Sequence, residues 1–243
     1  MKSIAVFSLK GGVGKTTATV NLAHAAATSG GRRTLVWDLD SQAAATLLLR
    51  AQPGPKTKAR AALAGKEPIE SLVEPTGFAN FWLLPADRSL RRLEGDLARA
   101  GRGGVIRRQL KALAPRFDRI LIDSPPGRSE LASELFRAVD LLVVPSIPAP
   151  LSAAAEAALA HELARLGPAA PPLLLFWNMA DRRRRLHRDL VDAHPERIAI
   201  PVAAAVEAMT ARRAPIGAFA AASPVARSFA QLWSAVETAL LRG

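Results

Sequence analysis

An α/β fold, a mainly parallel sheet with helices on both faces, is predicted by three observations. Short apolar runs recur along all 243 residues; they alternate with Ala-, Leu- and Arg-rich stretches of helical length; and they are continuous in polarity. Continuous Leu/Ile/Val runs suit strands buried on both faces, as in parallel sheets between two helix layers.

In chain order the runs are SIAVFSL (3–9), RTLVWDLD (33–40), FWLLPA (81–86), DRILIDSPPG (118–127), DLLVVPSIP (140–148), PLLLFWNM (172–179) and RIAIP (197–201). No repeat or long linker interrupts them, so a single domain over 1–243 is expected, with AQPGPKTKAR (51–60) as its flexible loop. A hydrophobic share of 49 % supports a packed globular chain rather than a disordered one.

The absence of cysteine excludes disulfides, thiolate metal sites and a cysteine nucleophile, and suits a reducing cytoplasm. The first strand starts at residue 3, leaving no room for a signal peptide, and no run approaches the ~20 apolar residues that span a bilayer. A cytoplasmic protein with no integral membrane association is therefore expected. Lys plus Arg outnumber Asp plus Glu by 33 to 21, a net charge of +12, which favours polyanionic partners. The histidines, His24, His161, His187 and His194, lack metal-ligand spacing, and there is no Gly-x-Ser-x-Gly elbow.

The stretch FSLKGGVGKTT (7–17) carries the most specific chemistry. The usual phosphate-loop spacing is broken, because Leu9 stands where its first glycine would be; the tighter form is Lys10-Gly11-Gly12-Val13-Gly14-Lys15-Thr16-Thr17. Three glycines in four positions let backbone N–H groups turn inward on an anion. Lys15 then reaches the β- and γ-phosphates, and the Thr16 hydroxyl ligates Mg²⁺. An apolar strand before the loop and a helical stretch after it, ending at Gly30-Gly31, complete the arrangement of a P-loop NTPase.

Three further signals fall at strand ends, where open α/β sheets bind ligands. In DLDSQ, Asp38 and Asp40 alternate along a strand and so point to one side. They can orient groups near the phosphates, although Asp40 or Ser41 could instead cap the helix beginning QAAATLLL. Asp123, ending RILID, can hold Mg²⁺ through water as a Walker B aspartate does. The amide of Asn178, ending LLLFWN, offers a donor and an acceptor to an adenine edge, or else starts the turn.

KGGVGKTT (10–17) resembles the deviant Walker A box of the ParA/MinD family of ATPases. The resemblance, in the ParA-like partitioning branch, extends over essentially the whole chain and is weakest between about 50 and 80. It implies that Lys10 is a signature lysine reaching across a dimer interface to the partner's nucleotide, and that it acts in catalysis with Lys15 and Asp40. DLDSQ matches the family's Asp-x-Asp-x-Gln, which gives Asp40 the role of orienting the attacking water and Asp38 a metal-sphere or switch role. DSPPG matches Asp-x-Pro-Pro-Gly, which puts Gly127 near the γ-phosphate, and the family has a base-contacting residue at the strand end held by Asn178.

The activity so implied is hydrolysis of ATP, with Mg²⁺, as a timer. An ATP-bound homodimer rides non-specific DNA in the nucleoid, partitions or positions DNA or another cargo, and is released by slow hydrolysis that a ParB-like or adaptor protein stimulates. Candidate DNA contacts are Arg183, Arg184 and Arg185 in DRRRRLHRD (181–189) and the pair Arg212-Arg213; VAAA (202–205) departs from relatives with a basic residue there.

Two other readings remain. A MinD-like membrane ATPase would end in a basic amphipathic helix; here Val225, Phe229, Leu232, Trp233, Val236 and Leu240 recur at helical spacing with only Arg227 and Arg242 basic, which suits core packing better. An ATP-dependent ligase of a small carboxylate is the other. Nitrogenase-type iron proteins need cysteines and bacterial tyrosine kinases need tyrosines, and the chain has neither residue.

Overall fold

Each predicted run contains a strand in the computed structural model, which describes residues 1–50, 59–93, 95–96 and 104–242. The strands are β1 (Lys2–Val6), β2 (Thr34–Asp38), β3 (Glu74–Pro75), β4 (Phe81–Leu84), β5 (Arg119–Asp123), β6 (Leu141–Ser146), β7 (Leu173–Ala180) and β8 (Ala199–Pro201). They form one sheet in the order β3-β4-β2-β5-β1-β6-β7-β8. Every pairing is parallel except β3 with β4. The two-residue β3 is too short to leave a periodic signal, and Pro75, lacking an N–H, suits an edge. Most of the loop expected at 51–60 lies outside the described residues.

The period of two along a strand divides the core. Ala5, Leu35, Trp37, Ile120, Ile122, Leu142 and Val144 face one way, against α4 (Val105–Leu113), α5 (Glu130–Ala138) and α6 (Pro150–Ala164). Ile4, Val6, Val36, Leu121, Leu141 and Val143 face the other, against α1 (Lys15–Ser29) and α10 (Pro224–Arg242). All residues of β2 and β6 are buried, which is why their runs are continuous.

The remaining helices, α2 (Ala44–Leu49), α3 (Ala59–Leu63), α7 (Arg185–Ala193), α8 (Ala204–Arg212) and α9 (Ile216–Phe219), cover strand ends and edges. The six apolar positions predicted as a packing stripe on α10 are all buried against the sheet. Arg119 of β5 fastens that helix from below, donating to both Glu237 carboxylate oxygens at 2.8 Å.

The central strand β1 lies between β5 and β6. The chain leaves β1 for β2 on one side and later returns to its other flank as β6, so a crevice opens at the carboxyl end of β1, where the glycine loop begins.

Candidate functional site

The loop runs from the end of β1 into α1, and glycine is required where it turns. Gly12 and Gly14 have φ of 74° and 85°, in the left-handed region that side chains rarely enter, and Gly14 is the N-cap of α1. A Cβ on Gly14 would also lie 2.3 Å from Asn178 Nδ2. That approach exists because the Asn178 amide donates to the Val13 carbonyl at 2.8 Å, fastening the loop to the end of β7. The buried Asn178 thus spends one N–H on holding the loop.

Behind the loop, polar groups converge. Thr16 Oγ1 donates to Asp123 Oδ2 at 2.7 Å, and Thr19 Oγ1, donating to the Lys15 carbonyl at 3.0 Å, lies 3.4 Å from Asp123 Oδ1. Lys15 is buried, with its Nζ 3.5 Å from the Lys10 carbonyl. Burial lowers its pKa, and the negative charges of Asp123 and Asp40 oppose that shift. The Lys15 amine therefore sits in the field of two of the three carboxylates that the sequence singled out.

Register puts Asp38 directly beside Asp123 across the β2–β5 pair. Both are buried, and burial pushes both carboxyls above the ordinary range; each also feels a neighbouring carboxylate, Asp38 for Asp123 and Asp40 for Asp38. Two such groups side by side resist full ionisation until a cation arrives.

Both carboxylate oxygens of Asp38 are engaged within the chain. Its Oδ1 accepts from the Asp40 N–H at 3.1 Å, and its Oδ2 accepts from the Thr46 N–H at 2.9 Å and the Thr46 hydroxyl at 2.7 Å. The helix-capping work considered for Asp40 or Ser41 is thus done by Asp38, from beneath the first turn of α2. The N-cap itself is Ala43, at a φ of 56° and without a side-chain cap. Asp40 instead closes a tight turn, its Oδ1 accepting from Gln42 N–H at 2.9 Å, and is left half-buried at the rim.

Among the described residues no group of three or more His, Cys, Asp or Glu converges as a metal cage. One hydroxyl beside one carboxylate is instead the donor set of a cation that completes its shell with phosphate and water oxygens, as Mg²⁺ does. The residues present fit such an ion.

Lys10 reaches away from the loop; its Nζ donates to the Leu151 carbonyl, in the first turn of α6, at 2.6 Å. Ser8, which the sequence did not flag, braces this region: its hydroxyl accepts from Lys10 N–H at 3.2 Å and its carbonyl from Gly127 N–H at 3.3 Å. Thr46 was likewise missed; a threonine at the third position of a helix without a side-chain cap is the signal that would have found it.

The arginines are a different kind of surface. Arg183 pairs with Asp181 through two contacts of 2.8 and 3.0 Å, Arg182 with Asp192 at 2.9 Å and Arg185 with Asp189 at 3.5 Å. Arg212 stacks over Phe219 at 5.0 Å. Arg184, Arg188 and Arg213 have no side-chain partner among the described residues.

A strand–glycine-loop–helix unit at the switch point of a parallel sheet, with a hydroxyl and a carboxylate behind the loop, defines a P-loop nucleotide-hydrolase fold. A family model described as an AAA domain matches residues 1–168. A ParA family protein of Chlamydia pneumoniae is 31 % identical over 204 residues, 79 % of this chain and 78 % of that protein. The chromosome-partitioning ATPase Soj of Thermus thermophilus is 39 % identical over 147 residues, 60 % of this chain and 54 % of Soj. The cell division ATPase MinD of Pyrococcus furiosus superposes with a TM-score of 0.81 at 25 % identity, over 98 % of each chain. The chain belongs to the ParA/MinD family of ATPases.

Proposed function

We propose that this chain is a single-domain ParA-type ATPase that dimerises around ATP, binds DNA without sequence preference, and partitions or positions DNA or another cargo. One observation carries the reading: the loop of residues 10–17 directs Lys15 inward, beside Asp123 and Asp40, and Lys10 outward, where a second subunit could be met.

In this account Gly11, Gly12, Val13, Gly14 and Thr17 offer backbone N–H groups to the phosphates, and Lys15 neutralises the β- and γ-oxygens. Thr16, and Asp123 through water, hold Mg²⁺, which supplies charge neutralisation at the transferring phosphoryl group. Asp40, at the rim, orients the attacking water. Lys10 releases the Leu151 carbonyl and reaches the partner's nucleotide. A γ-phosphate contacted by both chains is a ligand with different affinity for monomer and dimer, so ATP favours the dimer and its hydrolysis releases it.

The track is DNA in this reading because the surplus charge is arginine-rich and partly unpaired: Arg184, Arg188 and Arg213 are free to meet phosphates, with Arg183, Arg185 and Arg212 beside them in sequence. Localisation to the cytoplasm and nucleoid, and a ParB-like or adaptor protein that speeds hydrolysis, complete the proposal. The MinD-like membrane reading is disfavoured because the apolar stripe of α10 is buried; no helix among the described residues is long and apolar enough to cross a membrane.

The test is binding to random-sequence duplex DNA with ATP, with ADP and without nucleotide, across a salt series, for wild type and Asp40→Ala. Binding that needs ATP, weakens with salt and persists in Asp40→Ala is expected. No binding in any nucleotide state would overturn the DNA reading and direct attention to anionic vesicles, then to product formation from a small carboxylate.

A further inference from the structure

A second concave feature lies between α5 and α6, on the helix layer beside the phosphate loop. It is a groove of about 320 Å³ whose lining includes Arg128, Arg137, Arg165, Glu162, Phe136 and Leu166. Glu162 is its single carboxylate against three guanidinium groups, and it is already paired with Arg128 Nε. Arg137 is exposed and its only side-chain bond is a weak one, at 3.4 Å, to the carbonyl of Ser133 in its own helix. Arg165 is exposed and has no partner among the described residues. Two free positive charges therefore flank a groove whose apolar part is the half-buried Leu166 with the little of Phe136 that the core leaves accessible.

We propose that this groove docks a short acidic peptide segment of a partner protein, with an apolar side chain against Leu166 beside the edge of Phe136 and carboxylates on Arg137 and Arg165. Arginine binds carboxylates through paired N–H donors, and an apolar anchor between charged contacts is the usual build of a peptide groove. A second copy of this chain is a poor occupant, because the chain carries a net charge of +12 and nowhere has two consecutive carboxylates. Duplex DNA would satisfy the arginines, but its phosphate backbone has no apolar group for Leu166.

The groove is mechanically close to the loop. The Phe136 ring packs edge-on against Phe7, which leads from β1 into the loop, with centroids 4.9 Å apart and planes at 88°. Arg128 directly follows Gly127, whose N–H donates to the Ser8 carbonyl at 3.3 Å. A docked segment thus presses on two supports of the phosphate loop, and its effect on turnover rests on the ATPase reading, whereas the docking does not.

The experiment measures fluorescence anisotropy of a fluorescein-labelled peptide of Glu and Asp around a single Phe, without nucleotide, so that its failure is separable from failure of the ATPase reading. A Lys-rich peptide with the same Phe and a labelled DNA duplex serve as comparisons. The acidic peptide is expected to bind wild type, to lose about tenfold in affinity in Arg137→Glu/Arg165→Glu, and to bind more tightly to Glu162→Gln, a gain that misfolding cannot mimic. The Lys-rich peptide is expected not to bind. Failure of the acidic peptide to bind, equal affinity in all three proteins, or an effect of the reversals on DNA but not on the peptide would overturn the proposal.

Discussion

The phosphate loop and the arginine surface carry the two halves of the proposed function, and they are built in opposite ways. Around the loop several polar groups have dedicated, inward-facing partners: Thr16 on Asp123, Asn178 on Val13, Thr46 on Asp38. On the arginine surface the partners are near in sequence, the half-buried Asp181 and the exposed Asp189 and Asp192, and they consume part of the charge counted from composition. Buried pairing fixes position and makes each substitution expensive; exposed pairing is worth little and leaves the surface adjustable. The difference ranks what substitutions should do.

Lys15→Ala should have the largest effect. It removes the only buried amine beside Asp123 among the described residues and should lower ATP turnover by about 10²–10³-fold, measured by phosphate release at saturating ATP. Turnover within a factor of two or so of wild type would break the contrast between the two regions.

Gly14→Ala comes next, because it is strained twice, by its φ of 85° and by the 2.3 Å approach to Asn178. The double variant Gly14→Ala/Asn178→Ala relieves the contact but not the dihedral, so nucleotide affinity should recover only partly; full recovery would show that the backbone tolerates the change.

Asp38→Ala leaves the Thr46 N–H and hydroxyl without their acceptor and should cost about 1–3 kcal/mol, seen as a lowered melting temperature. Asp38→Asn keeps an oxygen for Thr46 and removes a like charge from beside Asp123, so it should lose less. An equal loss in the two variants would mean that the carboxylate's charge, rather than its hydrogen bonds, holds α2.

On the arginine surface, substituting the unpartnered Arg184, Arg188 and Arg213 with alanine should weaken DNA binding more than substituting the paired Arg183 and Arg185. Each lost phosphate contact should flatten the salt dependence by about 0.9 in the log–log slope. Equal effects would show that the ion pairs open on binding.

The smallest effect concerns pH. Arg33 holds Asp118 down to about 2, chiefly through side-chain and backbone hydrogen bonds. The folded pKa lies below the unfolded one, so the pair's contribution is complete above the ordinary aspartate pKa and is lost as pH falls towards 2. The pair is solvent-exposed, so melting curves of wild type and Asp118→Asn should differ slightly at neutral pH and converge at the acid end.

The sheet was legible because parallel strands buried on both faces are written as continuous apolar runs, and the loop because glycine spacing and strand–loop–helix order are local. What the sequence concealed was long-range pairing. Beside Asp40 in the sequence, Asp38 reads as a metal-sphere or switch residue; only the β2–β5 register, which puts it beside Asp123, and the fold of α2 over it reveal its bonds to Thr46. Asn178 carries no local sign that it grips a carbonyl 165 positions away. The groove between α5 and α6 left no motif, since its arginines, Arg128 just before α5, Arg137 within it and Arg165 at the end of α6, are brought together across the intervening β6.

The central claim is that one loop makes ATP the glue of a dimer, and light scattering after size exclusion tests it most directly, on wild type, Lys10→Ala and Asp40→Ala with Mg²⁺ and ATP or ADP. Asp40→Ala should run as a dimer with ATP and a monomer with ADP, and Lys10→Ala should stay monomeric with ATP while still binding it. A mass indifferent to nucleotide, or a Lys10→Ala protein that dimerises like Asp40→Ala, would contradict the account.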